Sequence, residues 1–240
     1  LYNPLGRTCN VVLKGDDNST IASGTTSTTT ITNLVNTSNL YSSIPNKQVG
    51  NYKIEVSYSS QTKTTIGGTY QIVVEDCIPE FSTITYQDTY STTTSITDDN
   101  QVLISNNSKA TFNANGISAK NSATITSAVL TQSSATGNVL ANMTISNTTA
   151  TATNVVMYYS NVASKDVYIT ITASRGLTYN KKLTTGLVDY QVPTATFSIK
   201  RQSNFYSNTD FLVNANYTQI GSNTLTIRTR QKQEGSSTWS

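Results

Sequence analysis

Histidine is absent from the 240 residues. That removes the commonest general base and the commonest metal ligand. The chain has only 2 cysteines, too few for a thiolate zinc cage. Charge is scarce as well: 12% of residues are charged and the net charge is +3. So small a surplus, with no basic stripe interleaved with aromatics, argues against nucleic-acid binding. No stretch approaches the ~20 apolar residues of a membrane span. With 4 Pro and 12 Gly, the chain is not a low-complexity linker either.

Hydrophobic residues make up 36% of the chain, and most of the remainder is Ser, Thr, Asn and Gln. Disordered chains of that polarity are usually charged and poor in β-branched and aromatic residues. Here Thr, Val and Ile abound, with 14 Tyr. Those residues suit a pleated, half-buried surface, and thin sandwiches with small cores fit the balance.

Period-2 alternation supports this. Tyr52, Ile54, Val56 and Tyr58 point one way, with Lys53, Glu55 and Ser57 opposite. Tyr70, Ile72 and Val74 repeat the pattern, as do Val167, Ile169, Ile171 and Ala173. Leu225 and Ile227, alternating with Thr226, Arg228 and Arg230, predict a last strand. Such alternation marks antiparallel strands with one packed face. Only Asn33–Ile44 suggests a short helical turn. Tight connections are expected at Lys14–Asn18, Gly67-Gly68, Thr97–Asn100, Asn115-Gly116, Gly137-Asn138 and Gly221–Asn223, because Gly, Asn and Asp tolerate positive φ.

Two segments read as module boundaries: Asp76-Cys77-Ile78-Pro79-Glu80-Phe81, and Asp189 to Phe197 around Pro193. Each sets a Pro before a new alternating strand, where a missing ladder donor is tolerated. Pro79 and Pro193 lie 114 residues apart, about the size of one immunoglobulin-like sandwich. The predicted fold class is therefore all-β: serial immunoglobulin-like or fibronectin-like antiparallel β-sandwich modules of about seven strands each. They cover 1–77, 78–191, and a truncated third module over 192–240. The chain begins at Leu1 and stops at Ser240 inside an expected strand pair. The expectation is a piece of a longer protein, with any targeting segment elsewhere.

Cys9 and Cys77 leave two readings: independent buried or terminal thiols, or a staple joining the ends of the first module.

Candidate sites are few. Asp16-Asp17-Asn18 and Asp98-Asp99-Asn100 offer carboxylates, but calcium needs six to eight oxygens and no spaced Asp-x-Asp-x-Asp-Gly loop is present. Hairpin turns account for both, and no metal or cofactor is expected. Tyr158 and Tyr159 are adjacent on an expected strand, so one should face solvent, and Tyr168 sits on the polar face of its strand. Flat aromatic faces beside amides and hydroxyls suit sugars. Lys200, Arg201, Arg228, Arg230 and Lys232 could form a basic face for an anionic wall polymer, although exposed basic residues also blunt sheet edges. The saccharide candidates are thus Tyr159, Tyr168, Arg228 and Arg230. Abundant Ser and Thr lack a base, no Gly-x-Ser-x-Gly elbow exists, and the 13 acidic residues form no convincing pair. The chain reads as non-enzymatic.

The first module opens with Asn3-Pro4-Leu5-Gly6-Arg7-Thr8-Cys9, then Val11, Val12 and Leu13. Asn39-Leu40-Tyr41-Ser42-Ser43-Ile44-Pro45-Asn46 follows, with a strand from Tyr52. The third runs Val192-Pro193-Thr194-Ala195-Thr196-Phe197-Ser198-Ile199-Lys200-Arg201, then Asn223-Thr224-Leu225-Thr226-Ile227-Arg228, then Gly235-Ser236-Ser237-Thr238-Trp239-Ser240. These segments resemble the minor structural proteins of siphophages that infect Gram-positive cocci, a family long described as of unknown function. The resemblance carries no catalytic residue. It implies a virion component in or on the tail or tail tip, a modular spacer or scaffold that presents or contributes to host adsorption. Expected partners are other tail or baseplate proteins and further copies of the chain, with host cell-wall polysaccharide as an open possibility. Two alternatives stay open: a receptor-binding module for cell-wall saccharide, and a bacterial surface adhesin stalk.

Overall fold

The computed structural model describes residues 5–58, 64–159, 165–201, 209–221, 223–230, 235 and 237–238, with only the backbone of 64–67. In chain order the first elements are β1 (Cys9–Lys14), β2 (Thr20–Thr26), α1 (Thr37–Ser42), β3 (Val49–Ser57), β4 (Thr64–Val73) and β5 (Thr83–Asp88). Next come α2 (Ser91–Thr97), β6 (Val102–Ile104), β7 (Ala110–Asn115), β8 (Ile125–Gln132), β9 (Asn138–Asn142) and β10 (Thr144–Ser146). The last are β11 (Thr149–Val155), β12 (Asp166–Ala173), β13 (Thr178–Thr184), β14 (Gly186–Val188), β15 (Thr194–Arg201) and β16 (Thr209–Asn216). With 49% strand and 6% helix in several antiparallel sheets, the fold is all-β and sandwich-type. Two compact units divide the chain. One holds residues 1–85, 112–152 and 166–184, the other 86–111, 153–165 and 185–240. Their borders do not follow the expected module boundaries.

In the first unit, β2, β1, β3 and β4 form one sheet in that order. Between residues 5 and 77 the described strands make this single layer. The expected Lys14–Asn18 turn closes β1 onto β2, with Asn18 at φ 60 and its N–H bonded to the Gly15 carbonyl. Val11, Leu13 and Tyr52 are buried on one face, as their alternation predicts. Tyr52 lies over Gly50, where a Cβ would sit 2.8 Å from the ring, so only glycine fits. Its hydroxyl donates to the Leu40 carbonyl of α1. Helix α1 falls within the expected Asn33–Ile44 segment, and the Asn36 side chain caps it by accepting from Asn39 N.

Gly67-Gly68 is not a turn. Tyr52 pairs with Tyr70 and Ile54 with Ile66, so residues 67–69 of β4 face Lys53 alone. The glycines form a bulge, which their freedom permits as readily as a reversal.

The same unit holds a sheet ordered β13-β12-β8-β9. Its core strand is β12, where Val167, Ile169 and Ile171 are fully buried beside Ala128 and Leu130 of β8. Burying each such side chain stabilises by about 1.5–3 kcal/mol. A third sheet runs β10-β11-β7-β5. Its buried face is built from Phe112, Ala114, Ala150 and Ala152, one large residue among small ones. Two sheets, each with one dry face, are the pattern of a two-layer sandwich.

In the second unit β6 pairs with β14 in parallel, Leu103 opposite Leu187. The predicted fold was antiparallel throughout. A parallel pair needs a long crossover, and most of the chain between residues 105 and 185 supplies it.

The Ser91–Thr97 helix was not expected from a run of Ser and Thr. Its hydroxyls bond back to the preceding turn, Ser95 to the Ser91 carbonyl and Thr97 to that of Thr93. The buried Asp88 carboxylate anchors the first turn, accepting from Thr93 Oγ1 at 2.6 Å, Ser108 Oγ at 2.5 Å and Tyr90 N at 2.9 Å. The second acidic triplet is therefore a helix stop rather than a hairpin turn. Asp98 adopts the left-handed conformation at φ 53 and donates its N–H to the Thr94 carbonyl.

β15 and β16 form a two-stranded ribbon with Phe197 opposite Val213 and Ile199 opposite Phe211. The predicted strand at Leu225 and Ile227 is absent. Residues 223–230 take up no ladder, and Ile227 is 50% exposed. Alternation makes a strand only where a neighbouring edge supplies hydrogen bonds. Ser222, Lys232, Trp239 and Ser240 lie outside the described residues.

Candidate functional site

The four saccharide candidates fall in both units. Tyr168 is half-buried on β12 in the first unit, opposite Lys182 of β13 and Thr131 of β8. Lys182 pairs with Asp166 at 3.1 Å. Tyr159, Arg228 and Arg230 belong to the second unit. Tyr159 is not on a strand. β11 ends at Val155, and the chain then bonds Met157 O to Asn106 N and Tyr159 N to Ser105 Oγ. Alternation ends there, so Tyr158 and Tyr159 are both exposed. The Lys165 ammonium lies 5.4 Å from the Tyr159 ring centre. Arg228 and Arg230 are exposed and outside any strand, while Lys200 and Arg201 end β15.

The first acidic triplet behaves as a turn. Ser19 holds the Asp17 carboxyl below its usual 3.8, first through its side chain and then through its N–H at 2.9 Å. Asp16 pairs with Lys47 at 3.3 Å on the surface. Among the described residues no group of three potential metal ligands gathers. Beside this turn, Asp16, Asn51, Lys53, Thr69 and Gln71 line an open polar groove of about 500 Å³, with no aromatic side chain among the described residues that line it. Cys9 and Cys77 are both free and buried. Among the described residues, no helix is long and apolar enough to cross a membrane.

The strongest constellation in the first unit was missed from the sequence. Arg175 lies in the turn from β12 to β13, which Gly176 closes at φ 82 by donating to the Ala173 carbonyl. That turn aims the guanidinium into a junction of three loops, where it is only 7% exposed. Nε donates to Lys47 O at 2.9 Å and Nη1 to Lys120 O at 3.1 Å. Nη2 donates to Tyr41 O at 3.1 Å and Asn121 O at 2.6 Å. Every acceptor is a main-chain carbonyl.

Neighbours extend the junction. Ser174 Oγ donates to Pro45 O at 2.6 Å. Asn121 Nδ2 donates to Glu75 O at 2.9 Å. Leu177 packs on the buried cluster of Ile44, Val74 and Cys77. On the rim, Lys120 pairs with Asp76 at 3.1 Å and Glu80 at 3.7 Å. Its hydrogen bond to Asp76, backed by attraction to both carboxylates, raises the ammonium above its usual 10.5. The rigid, planar guanidinium fork suits several acceptors at once. Such an arrangement holds loops in place. No sequence motif announces it, because the carbonyls it binds belong to residues of any type.

No protein-family model matches the chain, and no curated protein matches it either.

Proposed function

We propose that this chain is a structural spacer of a phage tail, a minor structural protein whose β modules hold an adsorption part away from the particle and catalyse nothing. The observation that supports it is the Arg175 junction. A spacer must keep its layers in register, and here one buried guanidinium joins the loops at one end of the first sheet to those of the sheet that follows. The complete lack of histidine agrees with a scaffold role. Partners in this reading are tail or baseplate proteins and further copies of the chain.

Immunogold labelling tests it. Antibody raised against residues 1–240 should decorate the tails of intact virions produced by the strain that encodes the chain. Labelling confined to the bacterial wall would replace this reading with an adhesin stalk. Release of reducing sugars or muropeptides by the purified chain would overturn the non-catalytic part.

A further inference from the structure

A second surface groove, of about 450 Å³, lies wholly within the second unit. We propose that it binds a neutral pyranose saccharide, with Tyr190 and Tyr217 as platforms and Asp98 as the hydroxyl acceptor. This inference does not depend on the spacer reading.

Three elements build the groove: the C-terminal end of α2, the segment after β14 and the loop after β16. Tyr217 is 39% exposed, Tyr190 is partly exposed, and Ile96, Pro193 and Leu225 add apolar surface. Asp98 stands on the rim, its main chain fixed by the left-handed stop of α2. The walls are braced. Asn223 Oδ1 accepts from Ile220 N at 2.7 Å while its Nδ2 donates to Thr218 O at 3.1 Å. Gly221 sits so close to α2 that a Cβ there would lie 2.7 Å from the Thr97 carbonyl. The Asp98 main chain and the segment 218–221 are therefore set before any ligand arrives.

The chemistry selects the ligand. Among the described residues no basic side chain lines the groove, so there a phosphate or a uronate would meet the Asp98 carboxylate uncompensated. A quaternary ammonium needs aromatic faces around it, and this groove is open to solvent. A pyranose has what remains: a C–H face for a tyrosine ring, and hydroxyls to donate to a carboxylate. The volume is within the range of small-ligand sites. These residues differ from the saccharide candidates read from sequence, because three distant segments supply them.

Saturation-transfer NMR on the 240-residue chain tests this, using the methyl glycosides of glucose, galactose, rhamnose and N-acetylglucosamine, with choline as the cationic control. The expected result is transfer to the ring protons of at least one sugar. Its affinity should fall about tenfold in Tyr217→Ala and in Asp98→Asn, and stay unchanged in Tyr168→Ala. Asn tolerates the left-handed conformation, so Asp98→Asn probes the carboxylate in a folded protein. Transfer to none of the sugars would overturn the proposal. So would transfer that Asp98→Asn leaves undiminished, or binding of choline alone.

Discussion

Arg175 Nε donates to the carbonyl oxygen of Lys47 at 2.9 Å across 128 residues of sequence. That bond joins the turn between β12 and β13 to the loop that leads into β3. Three more bonds from the same guanidinium reach Tyr41, Lys120 and Asn121.

Removing the side chain should therefore act on the whole junction. Arg175→Ala leaves four carbonyls short of a donor and opens a cavity. The expected loss is about 3 kcal/mol, read from the urea midpoint. Arg175→Lys should recover less than half of it, because one ammonium cannot serve four acceptors arranged around a planar fork. Hydrogen exchange at residues 41–47 should quicken in both variants. A loss under about 0.5 kcal/mol for Arg175→Ala, the range of an ordinary surface change, would show that the junction is incidental.

A second prediction concerns the unexpected helix. Asp88→Ala strips Thr93, Ser108 and Tyr90 N of their shared acceptor. We expect a cost of about 3 kcal/mol and faster amide exchange over Ser91–Thr97. Asp88→Asn keeps one acceptor oxygen and should cost less. Unchanged exchange in the alanine variant would mean that the helix holds without its anchor.

The parallel β6–β14 pair gives a third. Gly186 N–H donates to the Tyr86 hydroxyl oxygen at 2.8 Å, and that hydroxyl donates to Gln101 O at 2.7 Å. A Cβ on residue 186 would lie 2.4 Å from Gln101 O, a backbone atom. Gly186→Ala should destabilise by about 2–3 kcal/mol in thermal or urea unfolding. Wild-type stability in this variant would contradict the close approach.

pH dependence follows from two surface groups. Asp17 titrates below 3.8 because Ser19 hydrogen-bonds its charged form. Its contribution to stability is present above 3.8 and is lost as pH falls through the lower folded value. Lys120 titrates above 10.5, so its contribution is complete below 10.5 and lost as pH rises through the higher folded value. Carboxyl NMR should show the Asp17 midpoint moving up towards 3.8 in Ser19→Ala. No movement would mean that the hydroxyl plays no part.

What the sequence disclosed was local and periodic. The alternation in Val167–Ala173 reported the dry face of β12 directly, and the Lys14–Asn18 turn formed as its residues suggest. What stayed hidden depended on partners far along the chain. Ser91–Thr97 is helical because Asp88 and Ser108 hold its start, against the β preference of threonine. At Leu225 the same alternation enters no ladder. Of the saccharide candidates, Tyr168 is where the alternation placed it, whereas Tyr159 follows the chain out of its strand. Arg175 carries no signal at all, since its acceptors are peptide groups.

Those acceptors have a consequence for how the protein can change. The guanidinium's four hydrogen bonds go to main-chain carbonyls, those of Tyr41, Lys47, Lys120 and Asn121. The side chains at these positions can be exchanged without breaking the four bonds, provided the loops keep their course. A saturation library over the junction should tolerate wide substitution at Lys47 and almost none at Arg175. The outer face at Lys47 can be rewritten for a new partner while Arg175, with Ser174 and Leu177 beside it, keeps the layers together.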